Sequence, residues 1–300
     1  MQKNKHGYRV GLKTKLLNIP RQVFRIPAVE KWLVEKTRDK GVDNTWCKLI
    51  PPVYTYPAGS FRTAERNGIN YYLDISNVVD HNIYFGYKDG SDSFLFSRVR
   101  ETDTIFDVGA NIGSTTLPFG KMVKNGEVFS FEPSMSNYKR ILANMELNPS
   151  IKNIHIFDKG LGEKKERVKL YKVDANNPGM NRILPGNEEN NYDFEEIVTG
   201  TMDDFVQEYK PKKINLVKID VEGYEMSVLK GAVAVLETYK PALFIELDDE
   251  NLKGNGSSAK ELVSFLVDRK YQCINVLDSK PVDSSNDFKG CHFDIFCERK

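Results

Sequence analysis

The chain has 300 residues, of which 40% are hydrophobic and 28% are charged, and it contains 13 prolines. This composition is that of an ordinary globular protein and excludes the disordered and fibrous classes. The formal net charge of +1 argues against a surface that tracks nucleic acid, so we expect one large α/β domain preceded by an extension.

The first forty residues differ in charge from the rest of the chain. They contain eleven Lys or Arg and three acidic residues, which gives a net charge of about +8 and leaves about −7 (1 − 8) for the remainder. A solvated basic segment is the simplest interpretation, and contact with an anionic membrane surface or partner is the alternative.

No apolar run reaches the roughly 20 residues that span a bilayer, and basic residues interrupt any signal-peptide core. We therefore expect a cytoplasmic protein whose only membrane contact is peripheral, at the inner membrane surface. The four cysteines lack CxxC spacing, which predicts reduced thiols and no zinc site.

Short elements joined by turns are expected over residues 1–65, because basic residues alternate with prolines there. Pro27 suits the first turn of a helix over 27–38, and its predicted apolar stripe comprises Val29, Trp32, Leu33 and Lys36. We expect this segment to pack as a cap.

A strand over Ile69–Ile75 and a short helix over Ser91–Arg100 follow in the prediction. They lead into the main domain. We therefore place a basic N-terminal extension and cap at 1–95 and the ligand-binding domain at 96–300.

From Thr104 onward, short apolar runs alternate with helical stretches, which is typical of a parallel sheet with crossover helices. The predicted strands are 104–108, 126–131, 153–157, 214–220 and 242–247, and the predicted helices are 114–123, 134–147, 202–209, 224–236 and 258–269. The runs Gln272–Leu277 and Cys291–Cys297 have no helix between them and predict an antiparallel pair that closes the sheet. Residues 173–192 are too polar and too rich in Gly, Pro and Asn for a regular element, and we interpret them as a substrate lid or a flexible insertion.

The segment Thr104–Gly113 indicates a ligand site. Its buried strand contains Asp107, and the glycines at 109 and 113 let the backbone turn tightly around Asn111 before the next helix. The spacing is G-x-x-x-G and not the G-x-G-x-x-G that binds a pyrophosphate. Backbone N–H groups at Gly109, Asn111 and Gly113 suit the carboxylate of a ligand that carries an amino acid group, and Asp107 suits its ammonium.

Glu132 follows the second predicted strand, nineteen residues after Gly113. A carboxylate in this place can accept both hydroxyls of a ribose, through charge-assisted hydrogen bonds worth roughly 1.5–3 kcal/mol each. The turn and the acid together indicate an adenosine ligand, against the alternative of a structural turn and a surface glutamate. The adenine ring is expected beside the four residues that follow the third strand, which are Asp158, Lys159, Gly160 and Leu161. The alternative is that these four residues form an ordinary loop.

Carboxylates also follow the fourth and fifth predicted strands. Open α/β sheets bind ligands outside the carboxyl ends of their strands, so Asp220 is expected to contact the cofactor and is the first candidate for a proton acceptor, and Glu222 is the second. Glu225 and Glu246 are further catalytic candidates, although a helix N-terminus favours acids such as Glu222 and Glu225 without any catalysis. We predict no metal; a divalent cation held by Asp220, Glu246 and Asp248 is the minority interpretation.

Together with Lys218-Ile-Asp-Val-Glu-Gly-Tyr-Glu225 and Val228-Leu-Lys-Gly231, these motifs resemble the FkbM family of S-adenosylmethionine-dependent methyltransferases. The similarity extends from about Asn67 to Leu247, and KIDVEGYE is its most specific block. The resemblance implies a class I, Rossmann-like fold with a doubly wound, mostly parallel sheet of seven strands. It also implies S-adenosylmethionine as cofactor, S-adenosylhomocysteine as product, and O-methylation of a hydroxyl on a glycan or other natural product, as in polysaccharide biosynthesis.

Two other function classes stay open at this point. The strand, glycine turn and acid also suit an NAD-dependent oxidoreductase, although the missing G-x-G-x-x-G weighs against it. A nucleoside-binding module without chemistry is the third possibility. For the methyltransferase we expect a glycan or small-molecule acceptor and no nucleic acid partner.

Overall fold

The computed structural model describes residues 12–86, 90–174, 177–184 and 192–299. Part of the predicted basic extension (1–11) and part of the predicted lid (175–176 and 185–191) lie outside the described residues. None of the helices within the described ranges has the length and apolar character needed to cross a bilayer.

The chain divides into two compact units. The first comprises Met1–Ser93 with Asp174–Gly179, and the second comprises Phe94–Val173 with Met180–Lys300. The first part of the predicted lid therefore belongs to the first unit. The domain boundary at residue 95 and the role of the extension as a cap stay predictions.

The first unit combines helices with a two-stranded hairpin. Its elements are α1 (Leu12–Arg21), α2 (Pro27–Thr37), β1 (Phe61–Arg66), β2 (Ile69–Asp74) and α3 (Val78–Phe85). Asn67 and Gly68 join the strands with φ values of 52° and 69°, which the tight turn of a hairpin requires. Buried Glu30 holds the unit together, because Arg62 lies 2.6 Å from its carboxylate and the hydroxyls of Tyr56 and Tyr84 donate hydrogen bonds to it.

The helix predicted at 27–38 is confirmed, but its predicted apolar stripe is wrong in part. The buried face consists of Glu30, Leu33, Val34 and Thr37, and Trp32 points to solvent with 44% of its surface exposed. Burial of Glu30 beside Arg62 rotates the helix away from the orientation that hydrophobicity alone indicates.

The helices predicted for the rest of the chain are present, and one additional helix, Asp249–Gly254, is unpredicted. They are α4 (Gly90–Ser97), α5 (Thr116–Met122), α6 (Met135–Glu146), α7 (Met202–Tyr209), α8 (Glu225–Lys230), α9 (Val233–Thr238), α10 (Asp249–Gly254) and α11 (Ala259–Asp268). Side-chain caps begin three of them, since Thr201, Asp248 and Ser258 each accept a hydrogen bond from the backbone N–H three residues later. The helix predicted at 224–236 is two helices, which separate at Gly231 because that backbone lies against the carbonyl of Gly162.

The strands of the second unit form two sheets. In chain order they are β3 (Thr104–Val108), β4 (Glu127–Phe131), β5 (Ile154–Phe157), β6 (Gly160–Leu161), β7 (Glu166–Tyr171), β8 (Arg182–Ile183), β9 (Phe194–Gly200), β10 (Leu216–Ile219), β11 (Ala242–Asp248), β12 (Tyr271–Asn275), β13 (Pro281–Val282) and β14 (His292–Arg299).

The larger sheet has the order β13-β12-β14-β11-β10-β3-β4-β5 among the described residues. The pairs from β5 to β11 are parallel, and β14 and β12 are antiparallel to their neighbours, as predicted for the C-terminal pair. The doubly wound, mostly parallel sheet is thus confirmed, with the two-residue strand β13 added to its edge beyond the seven strands expected. Buried aromatic rings, including Phe106, Phe131 and Phe205, pack against one another beneath it.

The smaller sheet has the order β6-β9-β7-β8 and was not predicted. It includes Arg182–Ile183, which pairs with Tyr171 and Leu170, so the expectation of no regular structure over 173–192 is wrong there. Backbone pairing with β7 outweighs the polar composition of this short segment.

Candidate functional site

The carboxyl ends of four neighbouring parallel strands meet at one edge of the larger sheet. The strand order reverses between β3 and β10, because the chain proceeds from β3 to β4 and β5 on one side and to β10 and β11 on the other. Ligands of open α/β sheets bind at such a point. The residues that follow these strands at this edge are therefore the candidate site.

The turn after β3 and the acid after β4 are in direct contact. The backbone N–H of Asn111 donates to Glu132 Oε2 over 2.8 Å, and the N–H of Ser134 donates to Oε1 over 2.9 Å. Gly109 has φ +86°, and a Cβ on it would lie 1.9 Å from the carbonyl oxygen of Asp220, so a side chain cannot be accommodated. The structure thus brings together the glycine turn and Glu132, which the sequence placed on separate strands.

Glu132 lies in a largely dehydrated position with 5% of its surface exposed. Burial raises the pKa of its carboxyl to about 7, although the donors at Ser134 and Asn111 act in the opposite direction. Each carboxylate oxygen can accept about two hydrogen bonds; Oε1 also accepts from Asn137 Nδ2 over 3.5 Å, so Oε2 is the oxygen that keeps capacity for a ligand hydroxyl. A ligand hydroxyl that donates a hydrogen bond to Glu132 would favour the ionised form of this carboxyl group.

Asp107 is fully buried beneath the turn. The hydroxyls of Thr115 and Thr116 donate to its Oδ2 over 2.8 and 2.6 Å, and Lys218 Nζ lies 3.5 Å from its Oδ1. Lys218 Nζ also donates to the carbonyl of Gly109 over 3.0 Å. Asp107 Oδ2 is thus occupied, whereas Oδ1 accepts no hydrogen bond from the described residues, and the ligand contact that the sequence predicts for Asp107 stays a prediction.

Lys218 links the turn to the predicted catalytic acid. Its Nζ lies 3.3 Å from Asp220 Oδ2, and only 5% of its surface is exposed. Burial disfavours the ammonium, but the carboxylates of Asp220 and Asp107 outweigh burial and raise the pKa of Lys218. Sequence reasoning assigned no role to Lys218, although a lysine inside the apolar run Leu216–Ile219 was a usable signal.

The residues proposed to flank an adenine ring begin the smaller sheet. Gly160 and Leu161 are buried in β6 and pair with Thr199 and Gly200. Lys159 is half-buried, and its Nζ lies 5.6 Å from the centre of the Phe157 ring. They follow β5 directly and therefore stay candidates for the nucleoside side of the site.

Three carboxylates form a cluster beside this turn. Oxygens of Asp220, Glu222 and Glu246 all lie within 4.8 Å of one another. Burial first, and Asp220 and Glu225 second, raise the pKa of Glu222 to about 8. Burial and the negative charges of Asp220 and Glu222 likewise raise the pKa of Glu246 well above its ordinary range. Three like charges at these distances cannot all be retained, so the cluster holds protons at neutral pH.

Glu225 shapes the loop that presents this cluster. Its Oε1 accepts hydrogen bonds from the N–H groups of Val221 and Gly223 over 3.1 and 3.0 Å, and only 1% of its surface is exposed. Burial raises its pKa to about 7. These contacts favour a structural role for Glu225 over the predicted catalytic one.

Several side chains that sequence reasoning did not assign surround the carboxylate cluster. Asn251 Nδ2 donates to Glu222 Oε2 over 3.2 Å, and the Arg182 guanidinium in turn donates to Asn251 Oδ1. His292 lies 2.9 Å from Asp248 and 3.9 Å from Glu246. Asp248 caps α10 and contacts His292, so it does not join the three clustered carboxylates. Arg182 lies in a segment interpreted as a loop, and its position depends on the unpredicted pairing of β8.

Comparisons with known proteins agree with this site. The family described as "Methyltransferase FkbM domain" matches residues 107–273, which include both the glycine turn and the carboxylate cluster. The methyltransferase sdnD of Sordaria araneosa is 27% identical, over 46% of this chain and 67% of that protein. The hexuronic acid methyltransferase AglP of Haloferax volcanii is 26% identical, over 48% of this chain and 56% of that protein. A crystal structure of methyltransferase FkbM from Methylobacillus flagellatus superposes with a TM-score of 0.44 at 19% identity, over 66% of this chain and 44% of that chain.

Proposed function

The chain belongs to the FkbM methyltransferase family, and we propose that it is an S-adenosylmethionine-dependent O-methyltransferase that acts on a hydroxyl of a glycan or another natural product. Its fold is the Rossmann-like class I methyltransferase fold. The observation that carries the proposal is the contact between the glycine turn and Glu132, next to a cluster of carboxylates. Membership in the family favours this function over an NAD-dependent oxidoreductase or a module without chemistry.

The turn and Glu132 support S-adenosylmethionine as the ligand, but the N–H groups of Gly109, Asn111 and Gly113, which the sequence assigned to the ligand's carboxylate, donate instead to Phe131 O, Glu132 Oε2 and Ala110 O. Glu132 would hold a ribose hydroxyl, because it is oriented by two backbone N–H groups and its Oε2 keeps acceptor capacity. Gly109, Asn111 and Gly113 form the turn that would face the amino acid group, and Lys159, Gly160 and Leu161 would lie towards the adenine. When bound, the cofactor supplies a methyl group that its sulfonium makes electrophilic.

The carboxylate cluster would orient the acceptor and remove its proton. As the acceptor oxygen forms its bond to the methyl carbon, its hydroxyl proton must leave, and Asp220 is the first candidate to receive it. Asp220 is 43% exposed, whereas Glu222 and Glu246 are more deeply buried, which raises the pKa values of those two glutamates. Lys218, 3.3 Å from Asp220, keeps that side chain directed towards the turn. Proton uptake of this kind typically contributes about 10²- to 10⁴-fold to the rate.

A sugar acceptor is supported by one relative and by the chemistry of the cluster. The protein from Haloferax volcanii is named for hexuronic acid, a carboxylated sugar. Carboxylates and amides such as Asp220, Glu222 and Asn251 are suitable partners for several hydroxyl groups. The Arg182 guanidinium, which contacts Asn251, supplies the positive charge that a uronate would need in these acidic surroundings.

Transfer of a labelled methyl group tests the proposal. The protein is incubated with [methyl-³H]S-adenosylmethionine and lipid-linked or free glycans from a cell extract, and incorporated label is measured. We expect Asp220→Asn to lower the rate by about 10²-fold or more, and the exposed control Asp268→Asn to retain full activity. Absence of labelling with every acceptor, together with binding of NAD in a thermal-shift assay, would overturn the proposal.

A further inference from the structure

The helical segment at the start of the first unit directs apolar side chains to solvent. Helix α1 continues into a 3₁₀ turn at Gln22–Arg25, and Leu16, Ile19, Val23 and Ile26 are each more than half exposed. Their spacing of three and four residues places them along one side of the helical segment. A helix of a globular protein normally turns such a stripe towards the core, so the orientation here is inverted.

Polar contacts fix this orientation. Asn18, roughly on the opposite side of the helix, is buried and donates to the Tyr54 hydroxyl over 2.8 Å. Arg21 donates from its Nε to the Lys48 carbonyl over 3.0 Å. Because the polar side of α1 is attached to the body of the unit, the apolar stripe is held outward.

Both tryptophans of the chain are exposed in the unit that carries this stripe. The rings of Trp32 and Trp46 are 5.3 Å apart and perpendicular, and both side chains are exposed. The contact between Arg21 and Lys48 brings the segment that carries Trp46 to the end of α1. Exposed indole rings with an apolar body and one polar N–H are typical of surfaces that enter the interfacial region of a bilayer.

The segment that carries the stripe has a positive net charge. Residues 1–40 contain eleven basic and three acidic side chains, and Lys31, Lys36, Lys40 and Lys48 are exposed. A second copy of the same surface would bring like charges together, whereas anionic lipid headgroups complement them. An apolar stripe flanked by lysines and tryptophan is the pattern of a helix that lies in a membrane interface.

We propose that the first unit docks on anionic membranes through this interfacial face, formed by Leu16, Ile19, Val23, Ile26, Trp32 and Trp46. The apolar side chains would enter the headgroup boundary, and the exposed lysines would contact the lipid phosphates. The proposal does not depend on methyl transfer, since its residues are separate from the turn and the carboxylate cluster.

Vesicle binding by the full chain tests the proposal. The protein is mixed with phosphatidylcholine vesicles that contain or lack phosphatidylglycerol, and binding is followed by sedimentation and by tryptophan emission. Since the chain has two tryptophans and both are exposed in the first unit, a blue shift reports on this unit. We expect sedimentation and a blue shift only with phosphatidylglycerol, and both effects should weaken as salt is raised.

A matched pair of variants identifies the face. Ile19→Glu adds a charge within the stripe, and Leu277→Glu makes the same kind of change at a residue of the second unit that is 67% exposed. We expect Ile19→Glu to weaken vesicle binding by about tenfold or more, and Leu277→Glu to leave it unchanged. Equal binding by both variants would overturn the proposal, as would equal binding to neutral vesicles. A lipid-free dimer that Ile19→Glu dissociates would show that a second copy covers the stripe, and would also overturn it.

Discussion

Replacement of Glu132 tests the cofactor site most directly. Glu132→Gln keeps the length of the side chain and one carbonyl oxygen, but it removes the negative charge and exchanges one acceptor for an NH₂ donor. That donor would face either the N–H of Asn111 or the N–H of Ser134, which now lie 2.8 and 2.9 Å from the carboxylate. The variant therefore disturbs the turn and the ligand contact together.

The expected loss of affinity follows from the hydrogen bonds at stake. A charge-assisted hydrogen bond to a ribose hydroxyl is worth roughly 1.5–3 kcal/mol, and each 1.4 kcal/mol corresponds to tenfold. Loss of one such bond therefore weakens S-adenosylmethionine binding by about 10- to 150-fold, and loss of both weakens it further. A backbone N–H left without an acceptor costs a further 1–3 kcal/mol, roughly, in the free energy of unfolding.

Isothermal titration calorimetry with S-adenosylhomocysteine measures this effect. Glu127→Gln is the matched control, because Glu127 begins the same strand and its side chain is 53% exposed at the opposite end. Since burial raises the pKa of Glu132 to about 7, the affinity of the unmodified protein should also fall as pH is lowered from 8 to 6. Unchanged affinity in Glu132→Gln, with the variant shown to be folded by circular dichroism, would refute the assignment of the ribose site.

Three further predictions concern the charges behind the site. Lys218→Met should lower the free energy of unfolding by about 3–5 kcal/mol, because it leaves the buried Asp107 carboxylate without its cation. Urea denaturation measures this change, and a loss below about 1 kcal/mol would contradict the prediction. The pKa of Glu222 is raised to about 8 in the folded protein, from about 4.3 in the unfolded chain, so its contribution to stability is fully present below pH 4.3 and is lost as pH rises through 8. The free energy of unfolding, measured by urea denaturation, should therefore be lower at pH 9 than at pH 6, and Glu222→Gln should reduce this difference. Methyl transfer should persist in EDTA, because Lys218 already neutralises Asp220 and Asn251 already donates a hydrogen bond to Glu222. If EDTA abolishes activity and Mg²⁺ restores it, the carboxylate cluster binds a cation instead.

The sequence was sufficient for the central sheet because its strands are buried on both faces. Runs such as Thr104–Val108, in which all five residues are buried, can be recognised without knowledge of their neighbours. The smaller sheet was missed because β7 and β9 alternate exposed with less exposed residues and carry many charges, and because β8 is too short to show a pattern.

The candidate site was predictable where strand order alone decides position. Carboxyl ends of neighbouring parallel strands meet, so Glu132 and Asp220 were expected at one edge. The role of Glu225 was not predictable, because it depends on a reversal of the loop in which Glu222 has φ 54° and Gly223 has φ 100°. Arg182 was equally inaccessible to sequence reasoning, since it enters the site only through the pairing of β8 with β7.

The buried ammonium of Lys218 has a consequence for how the enzyme operates. One cation contacts the strand residue beneath the turn, the turn's own carbonyl at Gly109, and the acid at the end of the adjacent strand. A displacement of the glycine turn would therefore be transmitted to Asp220, so the proposed proton acceptor and the proposed cofactor turn share one scaffold. These contacts lie within the protein itself, and they fix the position of Asp220 relative to the turn.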